Sequence, residues 1–528
     1  MAFVGELRPF QQEALDQLLE WRRGLLAVVM GGGKTPVAIA FIEHLLDEEE
    51  VEAGLLIVPS GLKRQWLTKG FEKFAPDARV MMIDGSKEER IAQYEKAREW
   101  AEYIIIGYDQ LVDDWRYVRK LPKDFVVADE VQAIKSFEAQ RTERLKELGG
   151  GVRLGLTGQP LENFPEDIFS ICEWIDPTVL GRFDLFDACF IKRNSWGKPV
   201  SYDNLPLLRE RLEANIMVRF SREEIEHMLP ERESVTYLVP WGDAELRLYR
   251  HITRDLLDAI EQMTKVGATS FDLFAHYGKR GGRETAAQRA ARGRVMSRLT
   301  CLRMLCDHVD ILRASAAAYG KKSVSGAVRT GSAYAHELQE KGLLDLDYGT
   351  PKFDDTLALI HEILAEDPGR KIAVFSFFKQ VLRSFQEALP EGASVVYSGD
   401  VSLKVKQQAV DAFNDDPRVR VFLSSDAGGA GVDLPSGTHH INFNLPFSAG
   451  QLEQRDARID RIANENEQIT IINQLMEDSV EEYYYEVLLR RRKLAEAVVD
   501  GRPTKRGQVK LSATSLREFL VESPLYMV

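Results

Sequence analysis

The strongest constraint on this chain is a rhythm that recurs in two separate blocks. Short, fully apolar runs alternate with longer stretches whose apolar residues return at helical spacing. In the first block the runs are Leu25–Val29, Gly54–Val58, Val80–Ile83, Tyr103–Ile106, Phe125–Ala128 and Arg153–Leu156. In the second they are Ile372–Phe375, Ser394–Tyr397, Val419–Ser424, His440–Phe443 and Ile469–Asn473. Runs this short are strand-sized, and strands without alternation are buried on both faces. The intervening helices supply the cover, which is the signature of a parallel sheet. Between the blocks, from about Trp241 to Asp347, strand signals vanish and the chain is Ala- and Arg-rich with Gly-rich interruptions. A chain of 528 residues also exceeds what one hydrophobic core supports. The expected architecture is α/β: a first parallel-sheet lobe over 1–235, a mainly helical, basic insertion over 236–347, a second lobe over 348–500 and a C-terminal tail over 501–528.

Several function classes drop out. No apolar run approaches the roughly 20 residues of a membrane span, and Met1–Phe10 shows no charged head followed by an apolar stretch, so a cytoplasmic protein is expected. The four cysteines, Cys172, Cys189, Cys301 and Cys306, form no CxxC pair, and the histidines form no HExxH pattern. A zinc site or a disulfide framework is therefore not expected. The net charge of −13 argues against a nucleic-acid partner only if charge is evenly spread. It is not. Lys279, Arg280, Arg283, Arg289, Arg292, Arg294, Arg298 and Arg303 lie in one stretch with a single acid, Glu284. Four of these arginines, Arg289, Arg292, Arg294 and Arg298, are spaced so that they wrap a helix rather than share one face. Such a strip suits a phosphate backbone, although a solvated helical face is the simpler reading.

Three motifs carry chemistry. Met30-Gly31-Gly32-Gly33-Lys34-Thr35 follows a strand and opens a helical run. Glycines there let backbone amides close around phosphate, Lys34 reaches the β- and γ-phosphates, and the Thr35 hydroxyl suits Mg²⁺. Val28 stands where the full motif has its first glycine. The strand Phe125–Ala128 then runs into Asp129 and Glu130, placed to hold Mg²⁺ and to polarise the attacking water respectively. Far downstream, Gln454, Arg458 and Arg461 share one helix face. Arginines on a second lobe can stabilise charge on a phosphate held by the first. The alternative for that helix is a solvated, salt-bridged surface, since Asp456 and Asp460 are interleaved.

Taken together, the motifs resemble those of Swi/Snf-like ATPases of helicase superfamily two, in the same order, over roughly residues 5 to 497. Leu7-Arg8-Pro9-Phe10-Gln11 is similar to that family's opening motif, which implies adenine recognition by Gln11 with Arg8 beside it. Leu56–Ser60 with Gln65-Trp66, then Tyr108, Ile134-Lys135-Ser136 and Leu156-Thr157-Gly158-Gln159-Pro160-Leu161-Glu162-Asn163 resemble further elements. So do Val218-Arg219 and Leu229-Pro230, and Leu302-Arg303-Met304-Leu305-Cys306-Asp307-His308. In the second block Val374-Phe375-Ser376, Ser398-Gly399-Asp400 and Ser424-Ser425-Asp426 through Gly431-Val432-Asp433-Leu434 continue the pattern. The resemblance implies two RecA-like lobes, ATP and Mg²⁺ as cofactors, and nucleotide contacts from Gly431 and Asp433. It implies nucleic-acid contacts from Pro59, Lys63, Trp66, Tyr108, Lys135, Thr157, Gly158, Ser376 and Ser425, to which the charge pattern adds Arg289, Arg292 and Arg294. Departures are Gln132 for a histidine, Gln159 for a threonine, Glu162 for a glutamine, Asp433 for an asparagine and Ala463-Asn464 for Gly-Gln.

The expected function is ATP-driven translocation on double-stranded DNA with low sequence specificity, because phosphate contacts would dominate the grip. A strand-separating helicase uses the same core plus a wedge. An RNA-dependent ATPase shares the two lobes, but the Leu302–His308 stretch argues for DNA. A nucleotide-gated clamp without turnover would be expected to lack Lys34, Glu130 or Arg458, and all are present. With no histone-reading or nuclease module in view, a compact bacterial or phage member is expected, in the host cytoplasm if viral.

Overall fold

The computed structural model describes residues 3–137, 139–161, 164–193, 199–267, 285–320, 331–426, 432–446, 448–501 and 513–525. The expected contact Gly431 lies outside these residues, as do Lys279, Arg280 and Arg283 of the basic run and Glu162-Asn163.

The first block folds into strands β1 (Gly24–Val28), β2 (Gly54–Val58), β3 (Val80–Met82), β4 (Tyr103–Gly107), β5 (Phe125–Asp129) and β6 (Val152–Leu156). A small antiparallel pair, β7 (Ile191–Arg193) and β8 (Pro199–Tyr202), follows, then β9 (Met217–Phe220). The seven-stranded sheet is ordered β3-β4-β2-β5-β6-β1-β9 and its pairs run parallel. β1, β2, β4 and β5 are buried along their whole length, as apolar runs without alternation require.

The second sheet is built from β10 (Glu231–Val239), β11 (Ile372–Phe375), β12 (Ser394–Tyr397), β13 (Val421–Ser424), β14 (His439–Asn442) and β15 (Gln468–Met476). Its order is β10-β15-β14-β11-β13-β12, again parallel. The chain is thus an α/β protein of two parallel-sheet lobes. β9 and β10 have no counterpart in the apolar pattern. β9 is short and carries Arg219, whereas β10 is an edge strand, mostly exposed and polar along its first half. β10 pairs with β15 over its full length and crosses the position 235 boundary, so the second sheet begins before the insertion.

Between β10 and β11 lie helices Asp243–Lys265, Ala286–Asp307, Val309–Ala318 and Ala333–Glu340. Their apolar faces, with Leu256, Ile260, Leu299 and Leu302, make a core of their own. Leu516 and Leu520 of the last helix, Ala513–Glu522, bury in that core, so this part of the tail is packed structure. The helix Val480–Val499 leaves the second lobe and buries Leu494, Val498 and Val499 against Leu208 and Leu212 in the first-lobe core. At the junction of insertion and second lobe the fully buried Lys352 Nζ donates to Glu481 at 2.7 and 2.9 Å and to Asp307 at 3.2 Å. Removing one member of such a cluster strands a charge and costs about 3–5 kcal/mol. Among the described residues no helix is long and apolar enough to cross a membrane.

Candidate active site

The turn after β1 is shaped by glycine. Gly31 and Gly33 have φ of +78° and +79°, a region where a side chain is strained. The helix Lys34–Asp47 starts at that point, so its unpaired N-terminal amides face the loop. Gln11, buried on the helix Pro9–Trp21, donates through Nε2 to the carbonyls of Gly32 (3.2 Å) and Gly33 (3.1 Å). Its Oε1 accepts from the Arg8 backbone amide at 3.0 Å, while the Arg8 side chain is exposed. Gln11 therefore braces the loop backbone here. Lys34 Nζ donates to the Val28 carbonyl at 3.2 Å. Burial pulls the Lys34 ammonium below the usual lysine range, against the attraction of Glu130 and Asp129.

The end of β5 is organised by its neighbours. Asp129 Oδ2 accepts from the Trp66 indole at 2.8 Å, and Oδ1 from the Glu130 amide at 2.9 Å. Burial, with Glu130 beside it, pushes the Asp129 carboxyl up to about 6. Tyr108 donates its hydroxyl to the Asp129 carbonyl at 2.9 Å. Glu130 stands at φ +48°, a costly backbone for a non-glycine residue and one typical of a functional turn. Gln132 Nε2 donates to Glu130 Oε2 at 2.5 Å, and Gln132 Oε1 accepts from the Thr157 hydroxyl at 2.8 Å. The neutral amide that departs from the family histidine thus joins Glu130 to Thr157 inside the first lobe.

The second lobe meets this site directly. A Cβ on Gly31 would lie 2.6 Å from the Arg461 Cβ and 2.8 Å from its Cα, so the arginine backbone packs on the glycine loop. Arg461 Nη1 is bonded to Asp433. Arg458 Nη1 donates to the Val432 carbonyl at 3.3 Å, and its Nε is buried without a partner among the described residues. Burial, reinforced by Arg461 nearby, lowers the Arg458 guanidinium below its ordinary range. The interleaved acids are not solvated: Asp460 pairs with Arg222 at 2.9 Å and Asp456 with Arg232 at 2.7 Å. Gln454 lies half-buried on the helix Ala449–Asp456, which ends before Arg458 and Arg461. The shared helix face expected of the three residues is therefore not formed, and both arginines stand in the turns that follow the helix. Arg219 Nη1 donates to the Ala27 and Gly158 carbonyls, while its Nε pairs with Asp500 at 2.9 Å.

The structure thus brings together Gly31, Gly32, Gly33, Lys34, Thr35, Asp129, Glu130, Arg458, Arg461 and Asp433. It places several of the expected nucleic-acid contacts inside the protein. Lys63 is buried and donates to the Ile83 carbonyl (2.8 Å) and Asp84 (3.0 Å). Trp66, Tyr108 and Thr157 serve the strand-end acids, as above. Gly158 packs on Met30. Ser376 and Ser425 are buried, Ser376 accepting from Asn444 at 3.2 Å. Pro59 and Lys135 are half-buried. On the insertion helix, Arg289 and Arg294 are exposed and Arg292 is half-buried, whereas Arg303 is buried and donates to the Leu445 carbonyl at 2.8 Å. Sequence reasoning did not find Lys69, Arg222 or Arg232. The spacing of four between Gln65 and Lys69 was the available signal for the first; the two arginines carry none.

A glycine loop and a strand-end Asp-Glu pair on one parallel sheet, faced by arginines from another, define a two-lobed nucleotide-dependent enzyme class. The chain belongs to the SNF2-related family: the SNF2-related domain matches residues 10–310, and the helicase conserved C-terminal domain matches 355–463. An uncharacterised ATP-dependent helicase of Mycoplasma pneumoniae is 25% identical over 503 residues, covering 93% of this chain and 42% of that protein. The Bacillus subtilis uncharacterised ATP-dependent helicase YqhH is 24% identical, over 93% of this chain and 79% of the relative. The chain therefore spans about two fifths of the Mycoplasma protein's length. In fold it is similar to the Pyrococcus furiosus Hef helicase domain, with a TM-score of 0.50, 15% identity and coverage of 91% and 97% of the two chains.

Proposed function

We propose that this chain is an ATP-driven motor that steps along double-stranded DNA. The observation that carries the reading is the packing of Arg461 on Gly31, which makes one site from two lobes. The loop amides and Lys34 grip the phosphates. Thr35 and Asp129 are the residues that would hold Mg²⁺, which spreads the charge of the transferring phosphoryl group when bound; one carboxylate and one hydroxyl suit an ion that keeps most of its waters. Glu130, oriented by Gln132, draws the proton of the attacking water. Arg458 and Arg461 stabilise charge on the γ-phosphate from the opposite lobe. Closing and reopening of the lobes during turnover then becomes a step along the duplex.

Exposed Arg289 and Arg294, with Arg292, support a phosphate-directed, sequence-tolerant grip. A cytoplasmic location belongs to this reading. The test is ATPase rate with duplex DNA, single-stranded DNA, RNA and no nucleic acid. Duplex DNA is expected to stimulate most. Equal stimulation by RNA, or none by any nucleic acid, would overturn the DNA assignment.

A further inference from the structure

Asp433 occupies a place that the ATPase reading leaves unexplained. It is the charged departure from the family asparagine, and it sits where the lobes touch. Its carboxylate accepts from three donors. Gln65 Nε2 (2.8 Å) and Lys69 Nζ (3.2 Å) come from the first lobe, and Arg461 Nη1 comes from the second. Burial alone would raise this carboxyl; Arg461 and Lys69 outweigh it and hold it below the ordinary carboxylate range. Gln65 and Lys69 flank Trp66, whose indole holds Asp129. Residues Trp66–Phe71 form a widened π-helical turn, a rare geometry that recurs at functional sites. A Cβ at Gly70 of that turn would lie 3.2 Å from Thr35 Cγ2, so the same segment also leans on the glycine-loop helix. One short segment therefore touches Asp129 and Thr35 on one side and, through Asp433, Arg461 on the other.

Resting on the ATPase reading, we propose that Asp433 is a positioning residue for Arg461, anchored by Gln65 and Lys69, so that the Ser60–Phe74 segment aligns both halves of the catalytic site together. A guanidinium fixed at one Nη by a half-buried carboxylate loses rotamer freedom and presents its remaining donors in a set direction. The carboxylate also adds a negative charge close to the phosphate site, which opposes nucleotide binding. Orientation and affinity are thus set against each other. This distinguishes a positioning role from a merely structural one, in which loss of the residue weakens both.

The experiment is ATP turnover and ATP affinity, measured separately on the full chain. Asp433→Asn keeps shape and removes charge. It is expected to lower kcat about tenfold while ATP binds more tightly. Lys69 is half-exposed, so Lys69→Met should fold. It is expected to lower kcat less and to weaken ATP binding, and Lys69→Arg should restore both. Unchanged kcat in Asp433→Asn, or a fall in kcat with weaker ATP binding, overturns the proposal. Lys34→Ala is run alongside. Normal turnover in that variant would sink the ATPase reading itself, whereas an inactive Lys34→Ala beside an unaltered Asp433→Asn would sink only the positioning role.

Discussion

The two lobes share a parallel-sheet plan but organise their chemistry differently. In the first, each reactive group is held by neighbours in the same lobe. Gln11 braces the glycine loop, Trp66 and Tyr108 hold Asp129, and Gln132 with Thr157 orients Glu130. In the second, the arginines stand in the turns after the helix Ala449–Asp456, and these turns are held partly from the first lobe. Asp460 pairs with Arg222, which follows β9 of the first sheet, and Arg461 shares Asp433 with Gln65 and Lys69, whereas Asp456 pairs with Arg232 on β10 of the second sheet itself. The first lobe is therefore preorganised on its own account. The second places its arginines partly through the interface, as the proposed motor requires if lobe closure is to switch hydrolysis on.

The largest effects should come from the first lobe. Lys34→Ala and Glu130→Gln are each expected to lower ATP turnover by on the order of a thousandfold. Glu130→Gln should still bind ATP, because Lys34, Thr35 and Asp129 remain. Near-normal turnover in either would break the comparison at its base. Next comes Arg461→Ala. Its kcat should fall about a hundredfold or more, with folding close to normal and only a small loss of ATP affinity from the less compensated Asp433 charge, as loss of transition-state stabilisation predicts. A fall in ATP affinity of the same size would mean that the arginine binds rather than catalyses.

Stability should separate the lobes as well. Arg232→Leu strands Asp456, itself buried, and is expected to cost about 3 kcal/mol in denaturant unfolding. Trp66→Phe removes a single hydrogen bond to a carboxylate and should cost about 1–2 kcal/mol. Equal costs would mean that the ion pair inside the second lobe adds no more than the single hydrogen bond in the first. The smallest effect concerns the insertion. Replacing Arg289, Arg292 and Arg294 by Glu should weaken duplex binding severalfold and flatten its salt dependence, since fewer counterions are released. DNA-free ATPase should be unchanged. An unaltered affinity and salt slope would return this helix to a solvated face.

Much of this was legible in the chain. Strands β1 to β6 lie within a residue of the apolar runs, most plainly β1, β2, β4 and β5, because a strand covered on both faces has little room for polar side chains. The glycine loop and the Asp129-Glu130 pair were equally legible, because each is contiguous and its chemistry follows from local geometry. β10 was not, because a mostly exposed edge strand with Glu231, Arg232 and Glu233 at its start has little need of apolar side chains. Nor were the internal positions of Lys63 and Trp66. A lysine near a phosphate-contact motif reads as a surface cation, and only the folded chain shows it satisfied by Asp84 and a carbonyl.

Local sequence thus settles which elements form and which groups can do chemistry, since backbone propensity, glycine freedom and burial pattern act over a few residues. Long-range packing settles which of those groups are partners. Asp433 and Gln65 are 368 positions apart, and Arg222 and Asp460 are 238 apart. No local rule links such pairs. Their meeting is decided by how two sheets, each with its own core, pack against one another, where charges at the contact must pair or remain uncompensated.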